Sequence, residues 1–559
     1  MGVYAGEGTP IPADRTRVYR LALLTVTIFL IQSGLNSGNA QSVAEPYGGL
    51  PMPPPLPPSP DSADSGTSDS PPPDAAPSAP AAEPRDWRVT PYVSLGEQFT
   101  DNARLTPKGT PDFVTSVTPG AAVQEKTRRL QLTLDGNVTS DIYARNSGMD
   151  GYRYNFNGNG LGEIVEDYLF MDVRSSVGAE PVNATAGIPA FDRLLPGNQV
   201  QVINTSVSPY FAHDFGSWGS GELRYRASAL DYSSANTNSQ ALTPTPAGLT
   251  PVNLSNSFTN EFIAGLKAGP QFTTFRWAID GSASDSNYTD GRIVEQRSGM
   301  LTGEYAVMRE LALIAKVGED SYKDSAISSS TSANPALLIG ARVTPGPRTD
   351  LLLEGGERYG GPYWSGQFRY RISKTLNVTA SHSESLVTQQ DLSTDGLNTL
   401  VRDSQGRLAD PLTSAITDPN ATPFNLVGQS FSLKASRVGV NGVEGRNSFD
   451  LSAEYDQRVI GAVSLAQNGT ERQNVVEFGG TVTRQLTHVS DASLSLSYAN
   501  NQDSLAAGAY SVLQAGTAFD YNFNETLRGS LAYRHYMLTT NLGTGYAENA
   551  ILASIRKSF

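Results

Sequence analysis

The sequence predicts an all-β protein, a large single-chain antiparallel transmembrane β-barrel of about 22 strands that is preceded by a disordered Pro-rich arm. Three observations predict it. Apolar and polar residues alternate from Trp87 onward, the connections between predicted strands alternate between short and long, and the last residue is Phe559. A barrel turns half of its strand residues toward a wet lumen, which explains a mean hydropathy of −0.30 in a membrane protein.

Composition excludes several other classes of protein. The 559 residues contain no internal apolar run of about 20 residues, so the chain is not a helical membrane protein. No cysteine is present, which excludes disulfide scaffolds, thiolate metal sites and thiol nucleophiles. A net charge of −14 argues against a nucleic-acid partner. We expect no cofactor, no metal and no enzymatic activity.

Residues 1–40 have the features of a secretory signal peptide. Arg15, Arg17 and Arg20 form a basic region, residues 21–31 form an apolar core, and small residues lead to Ala40. Eleven helical residues rise only about 16 Å, roughly half of a bilayer's hydrocarbon core. We therefore predict cleavage after Ala40 rather than a membrane anchor.

Residues 41–86 are predicted to form a disordered, Pro-rich periplasmic linker. Fourteen prolines fall between Pro46 and Pro84. Such a composition cannot bury enough apolar area to offset the entropy of ordering, and it favours extended polyproline II structure. The segment is either a docking arm for a periplasmic partner or a solvated leader.

From Trp87 to Phe559 the hydrophobic period is two. In residues 130–138, leucine or valine at even positions alternates with polar residues at odd ones, and the same pattern recurs at 222–229, 367–372, 449–456 and 493–498. Strands with one apolar and one polar face produce this pattern. No segment after Trp87 shows a convincing helical period.

The lengths of the connections distinguish a membrane barrel from a soluble β-sandwich. Short turns and long loops alternate along the chain, which is the plan of outer-membrane barrels with turns on one rim and loops on the other. The longest loop, 388–427, is predicted to narrow the wide lumen; it is rich in aspartate but lacks the D-x-D-x-D-G run of a calcium site. Predicted short connections are 124–129, 165–168, 308–311, 344–350, 373–377, 441–447 and 522–527, and predicted long ones are 101–112, 182–198, 234–255, 324–334, 388–427, 460–472, 500–507 and 540–547.

Aromatic residues agree with a membrane barrel. Trp87, Phe215, Trp218 and Phe275 sit beside predicted turns and suit an interfacial girdle. Tyrosines at predicted strand ends suit a second girdle: Tyr143, Tyr152, Tyr154, Tyr232, Tyr288, Tyr322, Tyr359 and Tyr363.

The C-terminus carries a candidate assembly signal. Alternate positions hold Ile551, Ala553 and Ile555, and the chain ends on Phe559. This ending resembles the signal of bacterial outer-membrane barrels, although Lys557 occupies a usually apolar position. It implies the barrel assembly machinery as a partner.

The start of the barrel resembles a known family. Trp87–Pro107 reads WRVTPYVSLGEQFTDNARLTP and Asp112–Gly120 reads DFVTSVTPG. With Thr100-Asp101-Asn102 after the first strand and Pro119-Gly120 in the second, these residues resemble a family of proteobacterial outer-membrane β-barrels described as associated with exopolysaccharide and PEP-CTERM (exosortase) systems. The resemblance covers about 34 residues. It implies an outer-membrane barrel and, by association, passage of exopolysaccharide, and it supplies no catalytic residues.

Charged residues at lumen parity are the candidate site residues. Rows of arginine opposite acids set a transverse field in a pore and bias the passing solute, whereas any water-filled barrel also needs hydrated lumen residues. The candidates are Arg224, Arg226, Lys267, Asp280, Glu304, Arg369, Arg371, Glu454, Glu477 and Arg534.

A hydrolase built on His382 and Ser383 is not expected. Nucleophile and base must be within hydrogen-bond reach. Neighbouring residues of a strand point to opposite faces, so this pair cannot meet.

We therefore predict a channel or porin for polar solutes in the bacterial outer membrane, with its arm in the periplasm; an exopolysaccharide exit port is one form of this function. The alternative is a non-conducting barrel that acts as a scaffold or surface-interaction protein, with the Pro-rich arm as its docking segment. Expected partners are outer-membrane lipid, a polar solute or polysaccharide, and a periplasmic protein bound to the arm.

Overall fold

The computed structural model describes residues 87–559, apart from 182–187, 194, 196–197, 234–254, 328–331, 400, 403–407, 410–427, 467–470, 504–508 and 542–544. The predicted signal peptide (1–40) and Pro-rich arm (41–86) lie outside the described residues. The first strand begins at Trp87.

Strands dominate the described residues. One α-helix, α1, spans Gln389–Thr399, and a short 3-10 helix spans Ser147–Met149. The strands are β1 Trp87–Thr100, β2 Asp112–Lys126, β3 Leu130–Tyr143, β4 Gly151–Val165, β5 Leu169–Pro181, β6 Gln199–Asp214, β7 Gly219–Ser233, β8 Ser257–Ala268, β9 Phe275–Tyr288, β10 Ile293–Met308, β11 Leu311–Asp324, β12 Ser332–Gly346, β13 Thr349–Arg358, β14 Gly361–Arg371, β15 Leu376–Val387, β16 Val401–Arg402, β17 Leu408–Ala409, β18 Phe431–Glu444, β19 Asn447–Ile460, β20 Glu471–Thr487, β21 Ser490–Asp503, β22 Tyr510–Asn524, β23 Leu527–Thr540 and β24 Tyr546–Ser558.

Twenty-two of these strands form one closed antiparallel sheet, and β16 pairs only with β17. The ring closes where β1 pairs with β24, from Tyr92 opposite Ser558 to Thr100 opposite Ala550. A closed ring satisfies the backbone groups of every strand without leaving an edge, which a bilayer requires because it offers no water. The predicted fold class and the predicted count of about 22 strands are confirmed.

The two rims of the barrel differ as the connection lengths predict. Connections such as 127–129, 309–310 and 525–526 gather at one rim, here called the turn rim. Connections such as 101–111 and 388–430 gather at the other, the loop rim. The parity predicted from the sequence is therefore confirmed.

The wall of the barrel is apolar on its outer face. On β12, Leu337 and Ile339 are 61% and 71% exposed, whereas Ala336 and Leu338, at the alternate positions, are each 1% exposed. An exposed apolar band on this scale is a liability in water and matches the hydrocarbon of a bilayer. Ile551 and Ile555 near the C-terminus share this outer face.

The aromatic prediction is partly wrong. Trp87, Phe215, Trp218 and Phe275 are exposed beside the turn rim, as expected for a girdle. Among the tyrosines, Tyr152 and Tyr154 are exposed on the outer face. By contrast, four tyrosines are buried on the inner face of the barrel, where loops fold inward. They are Tyr143, Tyr288, Tyr322 and Tyr363. Phenols suit this place because each pairs an apolar ring with a hydroxyl that needs a partner.

The expectation of no helix after Trp87 is wrong. Helix α1 was missed because its apolar residues, Leu392 and Leu397, are five positions apart and mark no helical stripe. No helix in the described ranges is long and apolar enough to cross a bilayer.

Candidate functional site

Helix α1 begins with a reciprocal cap. The amide of Thr388 donates to Oδ2 of Asp391 at 3.0 Å, and the amide of Asp391 donates to Oγ1 of Thr388 at 3.1 Å. This capping box satisfies amides that the first helical turn leaves without partners. The T-x-x-D spacing is the sequence signal that would have located the helix.

The start of α1 is fastened to β9 and β10, away from the strand that precedes it. Thr388 directly follows β15, yet the hydroxyl of Tyr288 at the end of β9 donates to its Oγ1 at 3.0 Å. Nε2 of Gln296 on β10 donates to Oδ2 of Asp391 at 2.9 Å. Strands β9 and β15 are six positions apart in the ring. The chain therefore crosses the lumen as soon as it leaves β15.

The far end of α1 is held by an arginine of β5. Nη1 of Arg174 donates to the carbonyl oxygens of Leu397 and Asn398, at 3.1 and 2.7 Å. A cation at a helix C-terminus satisfies free carbonyls and favours the helix dipole. Nδ2 of Asn204 on β6 donates to the carbonyl of Ser393 at 2.8 Å. The helix thus lies along the inner wall from β10 to β5.

The returning end of the same loop is locked to β10 and β11. Arg292 pairs with Asp324 through two hydrogen bonds, at 2.9 and 2.7 Å. Ser430, just before β18, accepts from Arg292 at 2.8 Å and from Tyr322 at 2.6 Å, and it donates to Asp324 at 2.6 Å. Arg292 also donates to the carbonyl of Gly428. Both described ends of the loop between β15 and β18 are therefore fixed inside the barrel.

A second loop, between β5 and β6, fills the other side of the loop rim. Arg193 and Glu548 of β24 form a fully buried ion pair at 2.5 Å. Glu548 also accepts from Oγ1 of Thr100 at 2.6 Å and from the amide of Ala190 at 2.7 Å. Because every contact satisfies a buried polar atom, this loop is tied to the wall where the ring closes.

An acidic face of α1 meets charged residues of the wall. Asp395 lies close to Glu261 of β8 and to Asp391 of the helix, with Arg226 of β7 opposing their charge. Burial, reinforced by the two neighbouring carboxylates, raises the pKa of Asp395 to about 8. Burial also raises the pKa of Asp391. The docked helix therefore holds a proton near neutral pH.

Five of the predicted lumen residues have partners on the inner wall. Arg224 binds Glu222 at 2.6 Å and lies 3.9 Å over the ring of Tyr210. The remaining pairs are Arg226 with Glu261 at 2.8 Å, Glu304 with Arg276, Glu454 with Arg437 at 2.5 Å, and Arg534 with the carbonyl of Ala190 at 3.0 Å. The cross-strand partners were missed because register between strands decides them, and Ala190 reaches Arg534 from the β5–β6 loop.

The other five predicted residues are less constrained. Asp280 interacts electrostatically with Lys267 and Lys316. Glu477 is the cross-strand neighbour of Glu454. Arg369 and Arg371 occupy alternate positions near the turn-rim end of β14; both are exposed, and no acidic partner lies within 4 Å of either among the described residues. These two arginines are exposed cations on the inner wall.

Phe170, Tyr210 and Arg224 form a stack closer to the turn rim. The rings of Phe170 and Tyr210 are 5.1 Å apart and nearly parallel, and the Arg224 guanidinium covers Tyr210. Tyr210 is only 3% exposed, so the half-buried Phe170 and Arg224 are the members of this stack that a sugar would contact. No group of three or more metal-binding side chains converges among the described residues.

An edgeless ring, an apolar outer band, a charged inner wall and inserted loops define a membrane-spanning β-barrel. No protein-family model matches the sequence, and no curated protein matches it.

Several solved structures are similar to this chain. One is the ferric-catecholate import receptor Fiu from E. coli K12 in its open form, at 9% identity over 84% of this chain and 82% of that one, with a TM-score of 0.46. Another is the siderophore receptor PirA from Acinetobacter baumannii, at 10% identity, 84% and 80% coverage and a TM-score of 0.46. A third is BauA, the ferric preacinetobactin receptor from the same organism, at 12% identity, 84% and 81% coverage and a TM-score of 0.45. At these identities and TM-scores the likeness carries no inference about ligand.

Proposed function

We propose that the protein is an outer-membrane channel for polar solutes whose lumen is narrowed by a docked loop. The observation that carries this function is α1, which is capped at Thr388, anchored at Tyr288 and Arg174, and laid along a charged inner wall. A barrel of this many strands encloses a wide aqueous lumen unless something fills it. The helix is therefore the element that sets the size of the pore.

Carbohydrate is the solute class that the wall favours. Phe170 and Arg224, the half-buried members of the stack around Tyr210, offer an aromatic ring beside hydrogen-bonding groups, and Arg369 and Arg371 add exposed positive charge. Resemblance of residues 87–120 to barrels associated with exopolysaccharide systems supports an anionic polysaccharide as the cargo. Export through the loop rim to the cell surface follows if the turn rim faces the periplasm.

Planar-bilayer conductance tests this function. The full chain should give stepwise ion currents, and neutral and uronic-acid oligosaccharides added on the turn-rim side should block them in a concentration-dependent way. Replacing Phe170 with alanine should weaken the block, whereas replacing the outer-face Tyr498 should not. A folded barrel that is silent in the bilayer would contradict the channel.

The alternative is a non-conducting scaffold with a periplasmic docking arm. The two inserted loops favour it, because the buried Arg193–Glu548 pair and the Arg292–Asp324–Ser430 network fasten them from opposite sides. Deletion of residues 46–84 separates the two functions. Loss of surface polysaccharide with unchanged conductance would support a docking role for the arm, and unchanged export would remove it.

A further inference from the structure

A serine, a histidine and a glutamate meet on the outer face of β15 and β18. Nδ1 of His382 lies 2.8 Å from Oγ of Ser436, its cross-strand neighbour. Nε2 of His382 lies 3.6 Å from Oε1 of Glu384, two residues along the same strand. A proton on Nε2, facing the carboxylate, leaves the Nδ1 lone pair directed at the hydroxyl. These are the roles of nucleophile, base and orienting acid.

This group is separate from the channel. Ser436 shares its face with Val438, which is 50% exposed on the outer wall. The ring of His382 stacks on Trp364, at 3.5 Å between centroids and 4° between planes, and Trp364 is itself 49% exposed. Arg437, next to Ser436, faces the other way and binds Glu454. The three side chains therefore lie on the outer-face parity rather than in the lumen; His382 and Glu384 are covered by their neighbours, at 10% and 1% exposure, and Ser436 is half-buried.

The group lies where the apolar band gives way to a polar rim. Tyr455, the cross-strand neighbour of Ser436, is an outer-face aromatic. One step nearer the loop rim, Gln457 donates to Asn474 at 2.8 Å on the same face. One step in the other direction the face holds Val438 and Ala453. This is the depth of interfacial aromatic residues, where the ester bonds of a lipid meet water.

The ladder between two strands of the wall ends beside the imidazole. Strands β14 and β15 pair over only six residues, and the ladder stops at Gly366 opposite His382. By comparison, β18 and β19 pair over their whole length. Above His382 the β14–β15 ladder is not continued; residues 465–466 of the β19–β20 loop lie against Gly361, and Val463 of that loop shares a buried cluster with Leu386. Gly366, opposite His382, presents no side chain beside the imidazole.

We propose that Ser436, His382 and Glu384 form an esterase site that hydrolyses acyl esters of lipid in the facing leaflet. Oγ of Ser436 attacks the ester carbonyl carbon while Nδ1 of His382 takes the hydroxyl proton. The ester C–O bond then breaks, the leaving alcohol takes that proton, and the acyl group stays on Ser436. A water molecule from the rim attacks the acyl-serine and gives its proton to Nδ1. Release of the fatty acid returns that proton to Oγ.

Glu384 and Lys434 are positioning residues for this step. Glu384 faces Nε2 of His382 and stabilises the imidazolium that forms when the serine is deprotonated. Nζ of Lys434 donates to Oε1 of Glu384 at 2.7 Å, which holds the carboxylate beside the ring. The side chain of Glu384 is 1% exposed, so its orientation is fixed by these two contacts.

A fluorophosphonate probe tests the nucleophile directly. The full chain, refolded in detergent micelles, should be labelled on Ser436 and should release fatty acid from mixed micelles of phospholipid. Ser436→Ala should abolish the labelling, and His382→Phe should lower labelling and hydrolysis by at least about 100-fold. Ser383→Ala is the matched control, because Ser383 adjoins His382 on the opposite face and should keep both activities. Heat-modifiable migration on gels confirms folding of every variant.

The test of Glu384 must distinguish positioning of His382 from a purely structural role, so it uses the pH dependence of hydrolysis as well as its rate. Glu384→Gln should lower the rate and change its pH profile, and Glu384→Asp should recover part of both. Hydrolysis that is equal in the wild type and Ser436→Ala, or an unlabelled Ser436 in a folded barrel, would overturn the proposal. The proposal would also be overturned if His382→Phe lowered thermal stability but left labelling and hydrolysis unchanged.

Discussion

Tyr288, the last residue of β9, donates its hydroxyl proton to Oγ1 of Thr388 across 3.0 Å, although β9 and the strand that precedes Thr388 are six positions apart in the barrel. Both side chains are buried. The contact joins the cap of a helix to a part of the barrel wall that is six strands away. It makes the helix part of the lumen rather than part of a surface loop.

Removing the helix cap should widen the channel. Thr388→Ala deletes the oxygen that accepts from Asp391 and Tyr288, at a cost of about 1 kcal/mol to the helix cap and more for the unpaired Tyr288. Single-channel conductance should rise and fluctuate more. Thr302→Ala on the wall of β10 is the control and should leave the current unchanged. Identical traces for Thr388→Ala and wild type would show that α1 does not limit the pore.

Conductance should increase with pH through the titration of Asp395. Its ordinary pKa of 3.8 is raised to about 8 in the docked helix by burial and by Glu261 and Asp391, with Arg226 opposing. The docked state therefore binds the proton more tightly than the released state, so docking is strongest at low pH and weakens as the pH rises through about 8. Currents measured between pH 6 and 9 should rise, and Asp395→Asn should flatten the response. Asp491→Asn, elsewhere on the inner wall, should keep it.

Removing only one member of the buried Arg193–Glu548 pair should lower the stability of the barrel more than neutralising both members. Arg193→Met leaves Glu548 as an uncompensated charge, which destabilises a folded protein by about 3–5 kcal/mol. Adding Glu548→Gln removes the charge; its amide oxygen still accepts from the amide of Ala190, and its NH2 group donates to the hydroxyl of Thr100. Thermal unfolding followed by gel mobility should show a lower midpoint for the single variant than for the double one. The reverse order would mean that the loop is not held by this pair.

Arg369 and Arg371 should set ion selectivity. They are exposed cations of the inner wall, so they attract anions toward the turn rim. Changing both to glutamate should move the reversal potential in a salt gradient toward cation selectivity. The matched control is Arg437→Gln with Glu454→Gln, which removes a neutralised pair and should barely move it. If the reversal potential stays the same when both arginines are changed to glutamate, the ions do not pass along this part of the wall.

The amino-acid sequence determined the barrel and its size because both follow from local rules. Alternation such as Leu130, Leu132 and Leu134 against polar neighbours separates a lipid face from a wet face along any single strand. Loop lengths then separate the two rims, since a tight turn needs few residues. These signals lie within a few residues of one another, so strand number and strand parity could be predicted without contacts.

Only the tertiary structure decided which side chains meet. Ser436 is 54 residues from His382 and reaches it through strand register, whereas the adjacent Ser383 cannot. Thr388 is 100 residues from Tyr288, and Arg174 is 223 from the carbonyl that it holds. Tyr322 and Tyr363 lie on the inner-face parity, and they are buried there because inserted loops cover the inner wall at the loop rim. Such contacts depend on ring closure and on how the loops fold back, and a periodic pattern along one strand contains neither.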